Sequence, residues 1–470
     1  MIAMTLGEIA AAVAGSLRAA SESQLITGLS RTDSREVEPG DIFFAKPGEV
    51  TDGHLFAPQA VERGAALLIV EHLLDEAALK DVPQIVVPDV VEALGALATA
   101  VIDRARSAGR LKIVGVTGSN GKTTTKNLLR AILSKVGSTV AARESFNNEV
   151  GAPVTMLEVD ETTDYLVAEM GASRRGEIAR LVRMARPDIG IVLKVGLAHA
   201  GEFGGIEATL VAKTEMVSDL LPTGTAVLNL DDPRVASMQD KTRARVLWFG
   251  LSADADVRAS EVTVSAAGTT FMLHLPDGSS AHVSFKVLGE HHVTNALAAA
   301  AAAHTLGVQI DTIVAGLESV TRAERWRMEV LGGARGVTII NDAYNASPDS
   351  MAAALKTLAQ IAPPGARTVA VLGEMTELGD LAGEEHDRIG LLAVRLNIGS
   401  LVVVGTGARR LHISAIREGS WDGESAYVDT PDEAFELLST TLKSGDVVLV
   451  KSSNAASLRF LGDRLGELFS

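Results

Sequence analysis

The chain has 470 residues, no cysteine and a formal net charge of −16. Without cysteine there can be no disulfide, thiolate nucleophile or cysteine zinc site, and the negative charge disfavours nucleic acid or an acidic membrane surface as a partner. This length, with 47% hydrophobic residues, predicts about three domains with a core in each.

The first segment, residues 1–108, predicts a small α/β domain. Thr5 and Glu8 form a capping-box pattern that predicts the start of a helix. The apolar stretch at 1–15 contains Glu8 and has no basic residues at its start, so it does not predict a signal peptide. Strand-like runs follow at 66–70 and 84–87. No apolar run reaches the ~18 residues of a membrane span, so we expect a cytoplasmic protein.

Residues 114–129 read VGVTGSNGKTTTKNLL, an apolar strand that breaks into a glycine-rich turn and an amphipathic helix. Such a turn binds phosphate because glycines let backbone N–H groups approach an anion at the helix N-terminus, where Lys122 adds positive charge. The general phosphate-loop motif, G-x-x-x-x-G-K-[ST], has glycine at the position of Val116. The alternative interpretation is a glycine turn that precedes a helix by chance and binds no phosphate. The predicted ATP-binding residues are Thr117, Gly118, Ser119, Asn120, Gly121, Lys122, Thr123 and Thr124.

The central segment, residues 109–321, alternates continuous apolar runs with helical patterns, which predicts a doubly wound, mostly parallel sheet. Its strand-like run at 165–168 ends in Glu169, and the run at 189–195 leads to His199. Ligands gather beyond the carboxyl ends of such strands, so Glu169 is a candidate Mg²⁺ ligand, with a solvated carboxylate as the alternative. Alternating residues at 251–284 predict antiparallel strands, and a helix from Thr294 closes the segment.

The last segment, residues 322–470, resumes the βα alternation, with strand-like runs at 337–341, 368–372, 401–404 and 447–450. Ser347 and Pro348 form a helix start, with a capping serine and a proline in the first turn. This pattern predicts a second Rossmann-like unit. The whole chain is therefore predicted to be an α/β protein with a small N-terminal domain, a central phosphate-loop domain and a C-terminal Rossmann-like domain.

Several motifs together resemble the Mur ligase family of ATP-dependent amino-acid and peptide ligases. The short loop TGSNGKTT is the version that this family uses, and the resemblance covers nearly the whole chain. The other matching segments are NNEVGAP at 147–153, GEHHVTNA at 289–296, RME at 327–329 and NDAYNASP at 341–348. His292, Ser452 and Asn454 depart from the family's usual residues.

The resemblance implies roles for individual residues. It implies two Mg²⁺ ions held by Thr123, Glu169, His199 and Lys213, with Lys213 carbamylated, and a catalytic set of Lys122, His199 and Lys213. Asn295 would contact adenine, Arg327 the phosphates and Asp342 the ribose. Candidate substrate-binding residues, in TDSR at 32–35, DGH at 52–54 and the NN pair, are Ser34, Arg35, Asp52, His54, Asn147 and Asn148.

NDAYNASP and LGEMTELG at 372–379 resemble the branch of the family that joins D-alanyl-D-alanine to a UDP-muramoyl-tripeptide through an acyl phosphate. The implied partners are small molecules, and we expect a monomer. The third residue of the tripeptide, lysine or diaminopimelate, stays open. The alternatives are a ligase that extends folate with glutamate, whose relatives begin close to the phosphate loop, and a nucleotide-binding protein that has lost catalysis.

Overall fold

The computed structural model describes residues 1–18, 21–48, 51–75, 79, 81–142, 145–197, 204–265, 267–321, 324–418 and 424–470. The N-terminal domain contains a sheet with the strand order β2-β7-β6-β5-β4, beside a small β1-β3 pair. Its strands are β1 (Met4–Thr5), β2 (Ser16–Arg18), β3 (Leu25–Ile26), β4 (Ser30–Arg31), β5 (Ile42–Phe44), β6 (Leu67–Val70) and β7 (Gln84–Val86). Its helices are α1 (Leu6–Ala12), α2 (Ala57–Glu62) and α3 (Val90–Ser107). Thr5 caps α1 in the predicted capping box with Glu8.

The central domain is built on a sheet with the order β16-β15-β14-β13-β12-β11-β8-β10-β9, parallel from β14 to β9 and antiparallel among β14, β15 and β16. Its strands are β8 (Lys112–Thr117), β9 (Thr139–Ala141), β10 (Tyr165–Glu169), β11 (Ile189–Val192), β12 (Thr225–Asn229), β13 (Arg245–Gly250), β14 (Val257–Ser265), β15 (Gly268–His274) and β16 (Ser280–Phe285). Its helices are α4 (Lys122–Leu133), α5 (Gly151–Met156), α6 (Glu177–Ala185), α7 (Ile206–Ser218), α8 (Pro233–Ala236), α9 (Glu290–Thr305) and α10 (Ile310–Ser319).

The predicted run at 189–195 is too long, because β11 ends at Val192. Beyond it, side chains take part in the pairing: Asn229 donates to the Leu193 carbonyl at 2.8 Å, and Asp232 accepts from the Val195 N–H at 2.9 Å. The irregular chain that results passes beside the phosphate loop.

The alanine-rich helix α9 begins at Glu290, four residues before the predicted start. Ala296 and residues 298–303 are fully buried, because such small side chains let the helix lie close to α4 and to β13 and β14.

The C-terminal domain has the strand order β17-β18-β22-β19-β20-β21, parallel except for the β17-β18 pair. Its strands are β17 (Glu329–Gly332), β18 (Thr338–Asn341), β19 (Thr368–Leu372), β20 (Ser400–Val404), β21 (Ser425–Val428) and β22 (Val447–Lys451). Its helices are α11 (Pro348–Ile361), α12 (Ala382–Arg395), α13 (Arg409–Arg417), α14 (Pro431–Thr441) and α15 (Leu458–Leu468). Ser347 caps α11 as predicted. The α/β class and the mostly parallel sheets are confirmed.

Helix α3 joins the first domain to the second. It starts at a cap in which Asp89 accepts from two backbone N–H groups, and its buried face packs on α5 and α6. One hydrophobic core therefore runs from Leu6 and Ile9 through Leu97 to Met156 and Leu181. Across the described ranges, no helix is both long enough and apolar enough to cross a membrane.

Candidate active site

The predicted phosphate loop connects β8 to α4. Gly121 has a φ of 87°, in the left-handed region that favours glycine, and a Cβ there would collide with the Asn295 amide. The loop is fixed to the chain beyond β11, since the Ser119 N–H donates to the Lys194 carbonyl at 2.8 Å and the Ser119 hydroxyl to the Gly196 carbonyl at 3.1 Å. These two bonds hold the loop against the chain that follows β11.

Several polar groups of this loop suit an anionic ligand. The Lys122 ammonium donates to the Gly118 carbonyl at 2.9 Å, and burial lowers the Lys122 pKa. The Thr117 hydroxyl and the Asn120 side-chain nitrogen are buried without a hydrogen-bond partner. Because buried polar atoms are normally paired, the Asn120 nitrogen fits a ligand that completes its bonding, whereas Thr117 is fully buried and is not among the residues that line the neighbouring cleft.

Glu169 ends β10 behind the loop and is 1% exposed. Its Oε1 accepts from the Ser145 hydroxyl at 2.9 Å and from the Asn147 amide at 2.7 Å, whereas its Oε2 is buried without a hydrogen-bond partner. The Thr123 hydroxyl reaches Ser145 at 3.4 Å. Carboxylate and hydroxyl oxygens are the ligands that Mg²⁺ prefers, so these residues fit a divalent cation.

The second predicted metal site is only partly described. Lys213 lies on α7 and is 2% exposed, and burial, with the nearby charge of Lys122, lowers its pKa to about 7. His199 lies outside the described residues. Among the residues that the structure does describe, no three His, Asp or Glu side chains form a metal-binding cluster.

Asn295 and the two preceding histidines stand at the start of α9, against the phosphate loop. The His291 and His292 rings lie 4.1 Å apart, and Asn295 is 3.3 Å from the Nδ1 of His292. Burial lowers the His291 pKa to about 4 and the His292 pKa well below its usual value. Both rings are therefore neutral near pH 7.

Arg327 and Asp342 come to the same site from the C-terminal domain. Arg327 lies between Trp326 and Met328, which both have positive φ, and its guanidinium stacks on the Tyr344 ring at 4.4 Å. Asp342 accepts from the Met328 N–H at 3.0 Å and pairs with the buried Lys451 at 2.6 Å. No role was assigned to Lys451 from the sequence. Its position at the end of the apolar run VVLVK could have indicated that it lies at the carboxyl edge of the sheet.

These groups line one cleft of about 780 Å³ between the central and C-terminal domains. Among the residues that the structure describes, polar contacts across it include the Ser347 hydroxyl with Asn120 at 3.2 Å and Lys194 with Asp349 at 3.3 Å. Of the predicted site residues, those that line it are Ser119, Asn120, Gly121, Lys122, Thr123, Thr124, Asn147, Glu169, Asn295, Arg327 and Asp342.

A second cleft, of about 1300 Å³, lies between the N-terminal domain and the segment that carries Asn148. Ser34 and Arg35 line it as well. His54 instead bonds within its own domain, to Asp52 at 2.6 Å and to the Glu71 N–H at 2.9 Å, and neither His54 nor Asp52 is among the lining residues of this cleft. Substrate binding by these residues stays a prediction.

The chain matches family models and known proteins over nearly its whole length. Models of the Mur ligase family match the catalytic domain at residues 26–101, the middle domain at 116–303 and the glutamate ligase domain at 326–454. The UDP-N-acetylmuramoyl-tripeptide–D-alanyl-D-alanine ligase of Mycobacterium tuberculosis (strain ATCC 25618 / H37Rv) is 43% identical over 502 residues, covering 99% of this chain and 98% of that protein. The chain belongs to the Mur ligase family.

Other relatives agree with this assignment. The ligase of the same name from Escherichia coli (strain K12) is 36% identical and covers 86% of each chain. The crystal structure of MurF from Acinetobacter baumannii superposes with a TM-score of 0.88 at 32% identity, over 99% of both chains. MurF from Thermotoga maritima in complex with ADP superposes at 0.80 with 28% identity, over 94% of this chain and 98% of that one. The family and the three-domain α/β architecture predicted from the sequence are confirmed.

Proposed function

We propose that this Mur ligase uses ATP to join D-alanyl-D-alanine to UDP-N-acetylmuramoyl-tripeptide in peptidoglycan precursor synthesis. The observation that carries the proposal is the meeting of the two clefts at the segment 145–148, directly beside the phosphate loop. The relatives that match nearly the whole chain carry the corresponding name. One cleft would hold the UDP-muramoyl group, and the other would hold ATP.

The reaction has two steps. The terminal carboxylate of the tripeptide attacks the γ-phosphorus of ATP, which gives an acyl phosphate and ADP. The amine of D-alanyl-D-alanine then attacks the acyl carbon, a proton leaves the nitrogen, and phosphate departs. Lys122 and Arg327 would offset the negative charge that the transferred phosphoryl group spreads over its oxygens.

Mg²⁺ would neutralise charge on the β- and γ-phosphates, and Thr123 and Glu169 are the residues to hold it. For a second ion we propose His199 and a carbamylated Lys213. Addition of CO₂ to the uncharged Lys213 amine, with loss of a proton, would give a carbamate, which is a carboxylate-like ligand. The near-complete burial of Lys213 supports this, because burial disfavours the ammonium form.

The remaining predicted contacts follow from this assignment. Asn295 would contact adenine, Asp342 the ribose, and Ser34 and Arg35 the UDP-muramoyl group, whereas Asp52 and His54 bond to each other and do not line that cleft. Asn147 and Asn148 would lie close to the tripeptide carboxylate. The domains would span residues 1–108, 109–321 and 322–470, and we propose a monomer that works in the cytoplasm.

The test is phosphate release from Mg-ATP in the presence of UDP-muramoyl-tripeptide, with D-alanyl-D-alanine, glutamate, lysine or diaminopimelate as the amine. We expect release that depends on D-alanyl-D-alanine, with a matching mass gain in the nucleotide product. Tripeptides ending in lysine and in diaminopimelate would be compared as acceptors. Release only with another amine, or no release, would refute the proposal.

A further inference from the structure

Residues 145–148 separate the two clefts, and their side chains point alternately into each. Asn147 lines the cleft beside the phosphate loop, whereas Phe146 and Asn148 line the cleft of the N-terminal domain. Ser145 lines both. Its side chain therefore stands at the boundary between the two clefts.

The hydrogen bonds around Ser145 run in one direction. The Thr123 hydroxyl donates to the Ser145 oxygen at 3.4 Å, and the Ser145 hydroxyl donates to Glu169 Oε1 at 2.9 Å. Asn147 donates to the same two oxygens, at 3.0 Å and 2.7 Å. Two of these bonds end at Ser145 Oγ and two at Glu169 Oε1, while the buried Oε2 accepts none.

We propose that Ser145 is a positioning residue for the divalent cation, an inference that rests on the function proposed above. A hydroxyl can bind a cation only through a lone pair, so its proton must be used elsewhere. Ser145 accepts a hydrogen bond from the Thr123 hydroxyl and donates one to Glu169 Oε1, which leaves a lone pair of Thr123 and the Oε2 of Glu169 for the metal. Loss of such an outer partner typically costs about 10–100-fold in metal affinity.

The experiment measures Mn²⁺ binding to the full chain with ADP present, by the electron paramagnetic resonance signal of free Mn²⁺. Ser145→Ala is compared with Ser145→Thr, which keeps the hydroxyl, and with Ser439→Ala, at a half-buried serine of the C-terminal domain whose hydroxyl donates to the Glu436 carbonyl within α14. We expect the Mn²⁺ dissociation constant to rise at least about tenfold in Ser145→Ala and to stay within about threefold of the unmodified chain in the other two variants. ADP affinity without metal should change less than twofold in all variants.

The inference is overturned if Ser145→Ala binds Mn²⁺ as the unmodified chain does, or if Ser145→Thr binds it as weakly as Ser145→Ala. Equal weakening of ADP binding without metal would also overturn it, because that result indicates a disturbed phosphate loop. Product formation by the unmodified chain is measured separately. A chain that shows the Ser145 effect on Mn²⁺ but makes no product refutes the proposed function and supports this inference.

Discussion

Replacing Lys451 by methionine should destabilise the C-terminal domain more than the same replacement at an exposed lysine. The Lys451 ammonium makes three bonds, to the Asp342 carboxylate at 2.6 Å, to the Asp342 carbonyl at 3.3 Å and to the Asn345 carbonyl at 3.1 Å. Its side chain is 3% exposed, and that of Asp342 is 13% exposed. Methionine fills a similar volume but leaves the Asp342 carboxylate without its counter-ion.

Removing one partner of a buried ion pair costs about 3–5 kcal/mol, because the other charge stays buried and unpaired. The Met328 N–H still donates to Asp342 and Asp342 keeps some solvent access, so we expect the lower end, about 3 kcal/mol. In a domain of about 150 residues, 1 kcal/mol lowers the melting temperature by about 2–4 °C. The transition of the C-terminal domain should therefore move down by about 6–12 °C.

The assay is scanning calorimetry of the full chain without nucleotide. Lys443→Met, at an exposed lysine of the same domain, is the matched control and should shift the transition by less than about 2 °C. Adding Asp342→Asn to Lys451→Met removes the unpaired charge and should recover at least half of the loss. The reasoning fails if Lys451→Met costs no more than Lys443→Met, or if the double variant is no more stable than Lys451→Met alone.

Three further predictions concern the nucleotide cleft. Gly121→Ala should weaken ATP binding at least about tenfold in calorimetry, since it adds strain and a clash with Asn295, whereas Gly109→Ala, also at positive φ but with open space around it, should not. Glu169→Gln should lower kcat about 100-fold in phosphate-release assays without lowering the melting temperature, because it removes the carboxylate charge proposed for the metal. The pKa of His291 is about 4 in the folded chain and about 6.5 in the unfolded chain, so the unfolded chain binds a proton first as the pH falls. The stability that neutral His291 contributes is complete above pH 6.5 and is lost towards pH 4, and the free energy of unfolding should fall by about 2 kcal/mol by pH 5. His291→Gln should therefore narrow the difference in melting temperature between pH 7.5 and pH 5.

The parts of the fold that local pattern determines could be predicted from the sequence. The run at 368–372 is β19, and the helix that begins at Ser347 and Pro348 starts as expected, because apolar runs and capping residues act over a few neighbours. The phosphate loop and Glu169 were predicted for the same reason, since each directly follows an apolar strand. They meet because β8 and β10 are parallel neighbours in the sheet.

Contacts between residues far apart in sequence could not be predicted. Lys451 lies 109 positions after Asp342, and only the placement of β22 beside β18 brings them together. Ser145 in a loop has no pattern that singles it out. The packing of α3 on the central domain was missed as well, because its apolar face indicates burial without saying against which surface.

The distribution of apolar contacts argues that the parts of the site are not equally free to move. The N-terminal and central domains share one continuous hydrophobic core through α3, which holds the N-terminal cleft fixed against the phosphate loop. The core of the C-terminal domain includes Leu288 and Val264 of the central domain, and polar pairs such as Lys194 with Asp349 also cross the nucleotide cleft. Polar contacts across a cleft exchange with water at little cost, whereas a shared apolar core does not. Closure around ATP would therefore move Arg327 and Asp342, while Ser145 and Glu169 keep their places beside the loop.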